Sequence, residues 1–267
     1  MRCVRILLLV VLTGFASTAF AQNASTMPAS ADTGCSKASL SGTYGFLHDG
    51  TDSNGAPISA AVSQITFDPT TGTFTVATTS SRDGVIVTFS ATGTYAVASS
   101  CTGTGVPGGH NRFSIVVTST GFLAAEPFSA RTGVSTEGFG VQQGSATCTN
   151  AGVEGSFGLE ATGVFVAGAP VTGPVVIAGA LKFSVNTSGD GVITGHLAGS
   201  EDDTLFTFAG APVTGSYSVA PDCTGTATIT PKDKPALNFS FVVVNGGKEM
   251  LAIETDADTI VSATLQQ

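Results

Sequence analysis

Three histidines, His48, His110 and His196, and a few clustered carboxylates are the groups in this chain suited to acid–base or metal chemistry. No Gly-x-Ser-x-Gly elbow and no His-Glu-x-x-His run occurs, so a hydrolytic triad or zinc site would have to be assembled from distant residues. The local sequence places His48 in a turn after the first strand, His110 in a Gly-rich loop and His196 after a strand pair, all read as solvated. Glu254, Asp256 and Asp258 alternate, so a strand through them would set the three carboxylates on one face. With Glu201-Asp202-Asp203 they offer oxygen ligands for calcium; the other reading is a solvated outer face. Gly103-Thr104-Gly105-Val106-Pro107-Gly108 matches a dinucleotide fingerprint in form, but Pro107 and Gly109 oppose the helix it needs, so it reads as a Gly-rich hairpin loop. Glu126 and Glu160 are the carboxyls available to a cyclase- or isomerase-like site. Nothing in these patterns calls for a metal or a cofactor, and no catalytic residue is assigned.

The elements that would position such groups are set by a duplication. Gly93–Thr104 and Gly215–Thr226 are identical at eight of twelve positions without a gap. The likeness extends upstream, where Gly42-Thr43-Tyr44-Gly45 follows Cys35 as Gly155-Ser156-Phe157-Gly158 follows Cys148. It extends downstream, where Phe113–Val117 matches Phe239–Val243, and to the ends, Val141-Gln142-Gln143 against Leu265-Gln266-Gln267. The units are read as 35–144 and 145–267, joined by Gly144-Ser145-Ala146-Thr147. On this alignment the second unit's three alternating carboxylates fall opposite Ala130, Thr132 and Val134. If each unit is a copy of one fold, each holds its own bridge, Cys35–Cys101 and Cys148–Cys223.

Period-two alternation dominates both copies. Leu40, Gly42, Tyr44 and Phe46 share one parity, as do Val153, Gly155, Phe157 and Leu159. Turn signals fall at Asp49-Gly50, Asp68–Gly72, Ser188–Gly191 and Asn245-Gly246-Gly247, and no segment holds a helical period. The expected fold is all-β: two tandem antiparallel barrels of six to eight strands, with sandwiches as the alternative. Closure favours the barrel, because it removes exposed edges from sheets poor in Lys.

Met1–Ala21 has the form of a secretory signal, with Arg2 and Arg5, an apolar run and Ala19-Phe20-Ala21 before the expected cleavage. Residues 22–34 read as a flexible leader. Losing the signal shifts the net charge from −9 to −11, which argues against nucleic acid and anionic lipid as partners. No later stretch is long and apolar enough for stable membrane insertion. Charged residues make up only 11 % of the chain, while Phe numbers 17, so apolar surface must line an interior or an interface.

The pattern Gly-x-Tyr-x-Val-x-x-x-Cys-Thr-Gly-Thr, the leading Cys-x(6)-Gly-[Thr/Ser]-[Tyr/Phe]-Gly and the Phe-rich strand resemble a group of uncharacterised secreted bacterial proteins. They also resemble small lipocalin-like (calycin) or allene-oxide-cyclase-like barrels. That resemblance implies a secreted or periplasmic tandem barrel and carries no catalytic residue with it. Tyr44, Tyr95, Phe157 and Tyr217, at equivalent strand positions, are the candidate ligand contacts. The expected function is non-catalytic binding of a small apolar or aromatic ligand. A cell-surface or matrix interaction module is the alternative, and a cyclase- or isomerase-like enzyme the third reading.

Overall fold

The computed structural model describes residues 34–267 apart from 109–111, 130–132, 145–147, 169–171 and 202–203, and the side chains of 128–129 and 200–211 also lie outside the description. The expected signal, nearly all of the expected leader, most of the joining segment, His110, Asp202 and Asp203 therefore fall outside it.

The first barrel comprises β1 (Gly42–Thr51), β2 (Pro57–Asp68), β3 (Thr73–Arg82), β4 (Val85–Val97), β5 (Thr102–Pro107), β6 (Phe113–Val117), β7 (Gly121–Ser129) and β8 (Val134–Gln142). The second comprises β9 (Gly155–Phe165), β10 (Gly173–Val185), β11 (Gly191–Glu201), β12 (Thr204–Val219), β13 (Thr224–Pro231), β14 (Leu237–Val244), β15 (Glu249–Glu254) and β16 (Thr259–Gln266). Each strand pairs antiparallel with the next, and β1–β8 and β9–β16 close the two circuits. The all-β tandem-barrel expectation holds, with eight strands in each copy.

One end of each barrel is plugged in the same way. A short 3-10 helix, Lys37–Ser39 or Asn150–Val153, precedes the first strand under an N-cap hydroxyl, Ser36 or Thr149. It lays Leu40 or Val153 fully inside. Tyr95 Oη donates to the carbonyls of Lys37 and Leu40 at 3.1 and 2.9 Å, and Tyr217 Oη to that of Asn150 at 2.8 Å. The repeated signature builds this end. Cys101 and Cys223 both take left-handed φ, 63° and 71°, at the β4–β5 and β12–β13 turns. Their amides donate to the carbonyls of Ala98 and Ala220, and their own carbonyls accept from Val117 and Val243. From that geometry each cysteine bridges to its partner, Cys35–Cys101 with Cα atoms 4.8 Å apart and Cys148–Cys223 at 4.9 Å. Two disulfides fit an oxidising compartment outside the cytosol.

Besides the two interiors there is a third core. Leu47, Ala60 and Val62, on the outer face of β1 and β2, pack against Val242, Val244, Leu251, Ile253 and Ile260 of the second barrel. Gly45 permits the approach, because a methyl group there would lie 3.0 Å from Val242 and closer still to Val244. The β3–β4 hairpin reaches across, with Ser81 donating to the Thr259 carbonyl and the Gly84 carbonyl accepting from the Asp258 amide at 2.9 Å.

Several local readings change. His48 lies within β1, and Asp49-Gly50 is strand rather than turn; the chain reverses at Asp52–Ala56, where the Asp52 carboxylate accepts from the Asn54 and Ala56 amides. The Gly103–Pro107 stretch is strand β5 rather than a loop. Replacing Cys35 and Cys101 together by serine is expected to lower stability by about 4 kcal/mol, the chain-entropy value for a loop of this length, in guanidinium unfolding.

Candidate functional site

The interior of the first barrel divides into two parts. Toward the plug, Tyr44, Phe67, Tyr95 and Phe122 meet edge to face, with centroids 4.9–5.7 Å apart. Toward the other end lies a partly enclosed cavity of about 170 Å³. Its apolar wall includes Phe46, Ile65, Phe74, Val76, Ala91, Pro107, Phe113 and Ala124, and His48, Ser63, Thr78, Glu126 and Thr136 supply polar atoms. Phe89 also lines it and is 46 % exposed, so it marks the mouth. Val87 and Val85, on the same side of β4 by strand parity, carry the apolar surface outward.

His48 stacks on Phe46, centroids 4.9 Å apart and planes 20° from parallel. It borders the cavity, so it keeps some accessible surface, yet protein surrounds it. Desolvation pushes its pKa down to about 4, and no hydrogen bond or neighbouring charge offsets this. The imidazole is therefore neutral near pH 7. Beside it, the buried Ser63 and Thr78 hydroxyls bond each other at 2.8 Å.

The second barrel is an internal control. Tyr44 pairs with Ile65 and Phe157 with Leu181, so the ladders align and place Ser63 at Gly179 and His48 at Ala161. Ser63 pairs with Thr78 and Gly179 with Leu197. His48 faces Gly138, and Ala161 faces Ala263; Phe46 faces Gly140, and Leu159 faces Leu265. His48, Thr78, Gly138 and Gly140 thus stand where the second barrel has Ala161, Leu197, Ala263 and Leu265. There the residual void is about 20 Å³, lined by Leu159, Phe239, Phe241, Met250 and Leu265 among others. Among the described side chains the second barrel's interior is filled and the first barrel's is hollow.

A larger hollow of about 670 Å³ lies between the barrels, lined by residues such as Gln64, Thr79, Thr88, Asp222 and Thr226. It is the cleft left where two convex walls meet, and Gln64 crosses it to the Asp222 carbonyl.

The four aromatic candidates do not line the first-barrel cavity. Tyr44 and Tyr95 sit in the packed aromatic cluster by the plug, and Phe157 and Tyr217 in the filled core, each 5 % exposed or less. Burial pushes the Tyr95 and Tyr217 hydroxyls up to about 12, as suits groups tied to plug carbonyls. His196 is exposed on β11, away from His48 by strand and barrel. Glu160 lies on the outer parity of β9 and is exposed. Glu126, by contrast, lines the cavity.

The alternating carboxylates are not a strand face. β15 ends at Glu254, and Asp256 and Asp258 belong to the following turn, where Asp256 accepts from the Asn238 amide and side chain at 2.8 and 2.7 Å. Among the described residues no group of three or more His, Cys, Asp or Glu is gathered in metal-binding geometry. Ile115 pairs with Ala124 and Phe241 with Ala252, so the first-barrel counterpart of Glu254 is Glu126, not Ala130. Glu254 is 1 % exposed, and its Oε2 has no hydrogen-bond partner. Desolvation, with the nearby Asp256 carboxylate, pushes its pKa up to about 8.

Among the described residues no helix is long and apolar enough to cross a membrane. The chain is thus a tandem pair of eight-stranded antiparallel barrels, one stapled, plugged and hollow, the other stapled, plugged and filled. No protein-family model matches it, and no curated protein does. A solved structure of a protein of unknown function from the DUF3598 family of Nostoc punctiforme is similar over 86 % of this chain and 96 % of that one. The identity is 11 % and the TM-score 0.27, so this likeness carries nothing about function.

Glu254 gives a pH signature. Its folded pKa lies above the unfolded value, so the folded state binds the extra proton between them, and stability contributed by that proton is lost as pH rises toward 8. The stability of wild type minus that of Glu254→Gln should fall by about 1.4 kcal/mol per pH unit through that window, measured by urea unfolding. A flat difference would mean that Glu254 is ionised and solvated in the folded protein.

Proposed function

We propose that this is an exported binding protein that holds one small, largely apolar molecule in its first barrel, with the second serving as a filled structural partner. The observation that carries this reading is the difference between two copies of one fold among the described residues: a space of about 170 Å³ in the first against a void of about 20 Å³ in the core of the second. Cavities of roughly 150 Å³ lined by apolar side chains admit benzene or xenon, so the space suits a single-ring ligand. The mouth at Phe89 and the apolar strip of Val87 and Val85 give such a molecule a path from solvent. Export rests on the signal-like Met1–Ala21 segment and agrees with the two disulfides. Enzymatic turnover has less support, since His48 and Glu126 line the same space without a contact that would couple them as acid and base.

The test is to transplant the second barrel's filling. Ser63→Gly with Thr78→Leu copies the Gly179–Leu197 pair into the cavity wall. Wild-type protein should bind toluene, seen as a rise in Tm and as ligand-induced shifts of cavity methyl resonances, and the double variant should lose both. Equal toluene binding by the two proteins would place the ligand elsewhere.

A further inference from the structure

We propose that the first-barrel ligand is an uncharged molecule with a ring and a hydroxyl group, of the phenol class, whose hydroxyl bonds His48. This rests on the binding reading above and narrows it to a chemistry.

The case begins with how the polar atoms are distributed. His48, Ser63 and Thr78 lie on adjacent strands β1, β2 and β3, and so make one polar wall. The second barrel replaces all three with Ala161, Gly179 and Leu197, and packs shut. The fold therefore does not need polar groups at these places, and a buried polar group without a partner is destabilising. Ser63 and Thr78 satisfy one another, but only in part: two hydroxyls sharing one bond keep a spare proton and spare lone pairs. The ring nitrogens of His48 receive no hydrogen bond or charge from the protein. A group entering the cavity is what would complete them.

The chemistry of that group follows. Neutral imidazole has one donor and one acceptor nitrogen, and a hydroxyl can serve either, because it both donates and accepts. A carboxylate or an ammonium would enter with its charge desolvated, and the polar wall holds no opposite charge to pair with it. Among the described lining residues Glu126 is the one carboxylate or cationic side chain, and it belongs to β7, across β8 from His48. The ring follows from the aromatic lining, Phe46, Phe74, Phe89 and Phe113, which offers faces and edges for an aromatic molecule to pack against.

The experiment titrates the full chain with phenol, toluene, benzoate and benzylammonium, followed by calorimetry and by 15N NMR of the histidine rings. Wild type should prefer phenol over toluene by about tenfold, the size expected for one buried hydrogen bond. His48→Leu should remove that preference while toluene binding persists. In wild type, phenol should shift the His48 ring nitrogens and leave those of His196 unmoved, which reads the contact even if the variant does not fold. Toluene bound as tightly as phenol, or a preference that survives His48→Leu, would overturn the hydroxyl assignment and leave the binding reading standing. Tightest binding of benzylammonium would make Glu126 the determinant and overturn it too. Failure of all four compounds, with xenon also leaving the cavity methyl resonances unmoved, would overturn the binding reading itself.

Discussion

Closure of the hydrogen-bonded ladder governs the rest of this structure. Once β1 meets β8 and β9 meets β16, the strand count sets the enclosed volume, and an eight-stranded barrel is just wide enough to be filled by side chains or to hold one small ligand. The backbone cannot collapse onto a missing side chain without breaking the ladder, so a smaller residue leaves a void. Thr78 is smaller than Leu197, which takes its place in the second barrel, and so leaves space, whereas Gly140 makes room for the Phe122 ring, which a methyl group there would overlap. By a scaling of roughly 24 cal/mol per Å³ for closed apolar voids, a space of 170 Å³ with a mouth to solvent sets a deficit of at most about 4 kcal/mol. That is comparable to what the Cys35–Cys101 staple contributes by restricting the unfolded chain. A packed aromatic cluster and a tied plug at the other end keep the hollow half in shape.

The second constraint is the contact between barrels, and it explains where alternation stops being readable. Val242, Val243 and Val244 are all buried, as are Leu251, Ala252 and Ile253. Their inward members fill the second barrel, and their outward members meet Leu47 and Val62 of the first. Strands with a core on each face lose the polar half of their pattern, whereas β9 alternates buried and exposed positions from Phe157 to Ala161 and keeps enough of it to be read. The duplication was legible because it depends on residue identity at places where geometry is strict: left-handed Cys101 and Cys223, and Tyr95 and Tyr217 tied to plug carbonyls. The cysteine pairing follows from that same repetition. That eight strands rather than six close each copy depends on shear and twist, which leave no local mark in a sequence.

The site was less legible, for specific reasons. The parity of Tyr44 and Phe46 extends without a break to His48, but Asp49-Gly50 resembles a turn, and that signal hid the continuation. Gly50 is instead a strand position facing Ser59 and Val134, where small size matters more than conformational freedom. Glu254 was misplaced because alternating carboxylates look like one solvated face, whereas the strand ends at Glu254 and leaves it inside. Its counterpart Glu126 was hidden by loops of different length in the two copies, and strand register recovers it. The aromatic candidates were conspicuous because both copies keep them. That property marks residues the fold requires.

A duplicated chain therefore sorts its own residues. Both copies must close, cap and staple a barrel, so the residues with those tasks recur: the cysteines, the plug-binding tyrosines and the apolar caps Leu40 and Val153. Neither copy needs an unpartnered imidazole beside a hydroxyl pair, and only one has them. Among the described residues, the polar departures of the first barrel, His48, Ser63 and Thr78, lie on one wall of β1–β3 around a single space. Random loss of packing would scatter such changes over the interior and would favour apolar replacements, since an unsatisfied polar group adds its own penalty to that of the void. Polar substitutions gathered around one void are the pattern expected when the void itself has a task.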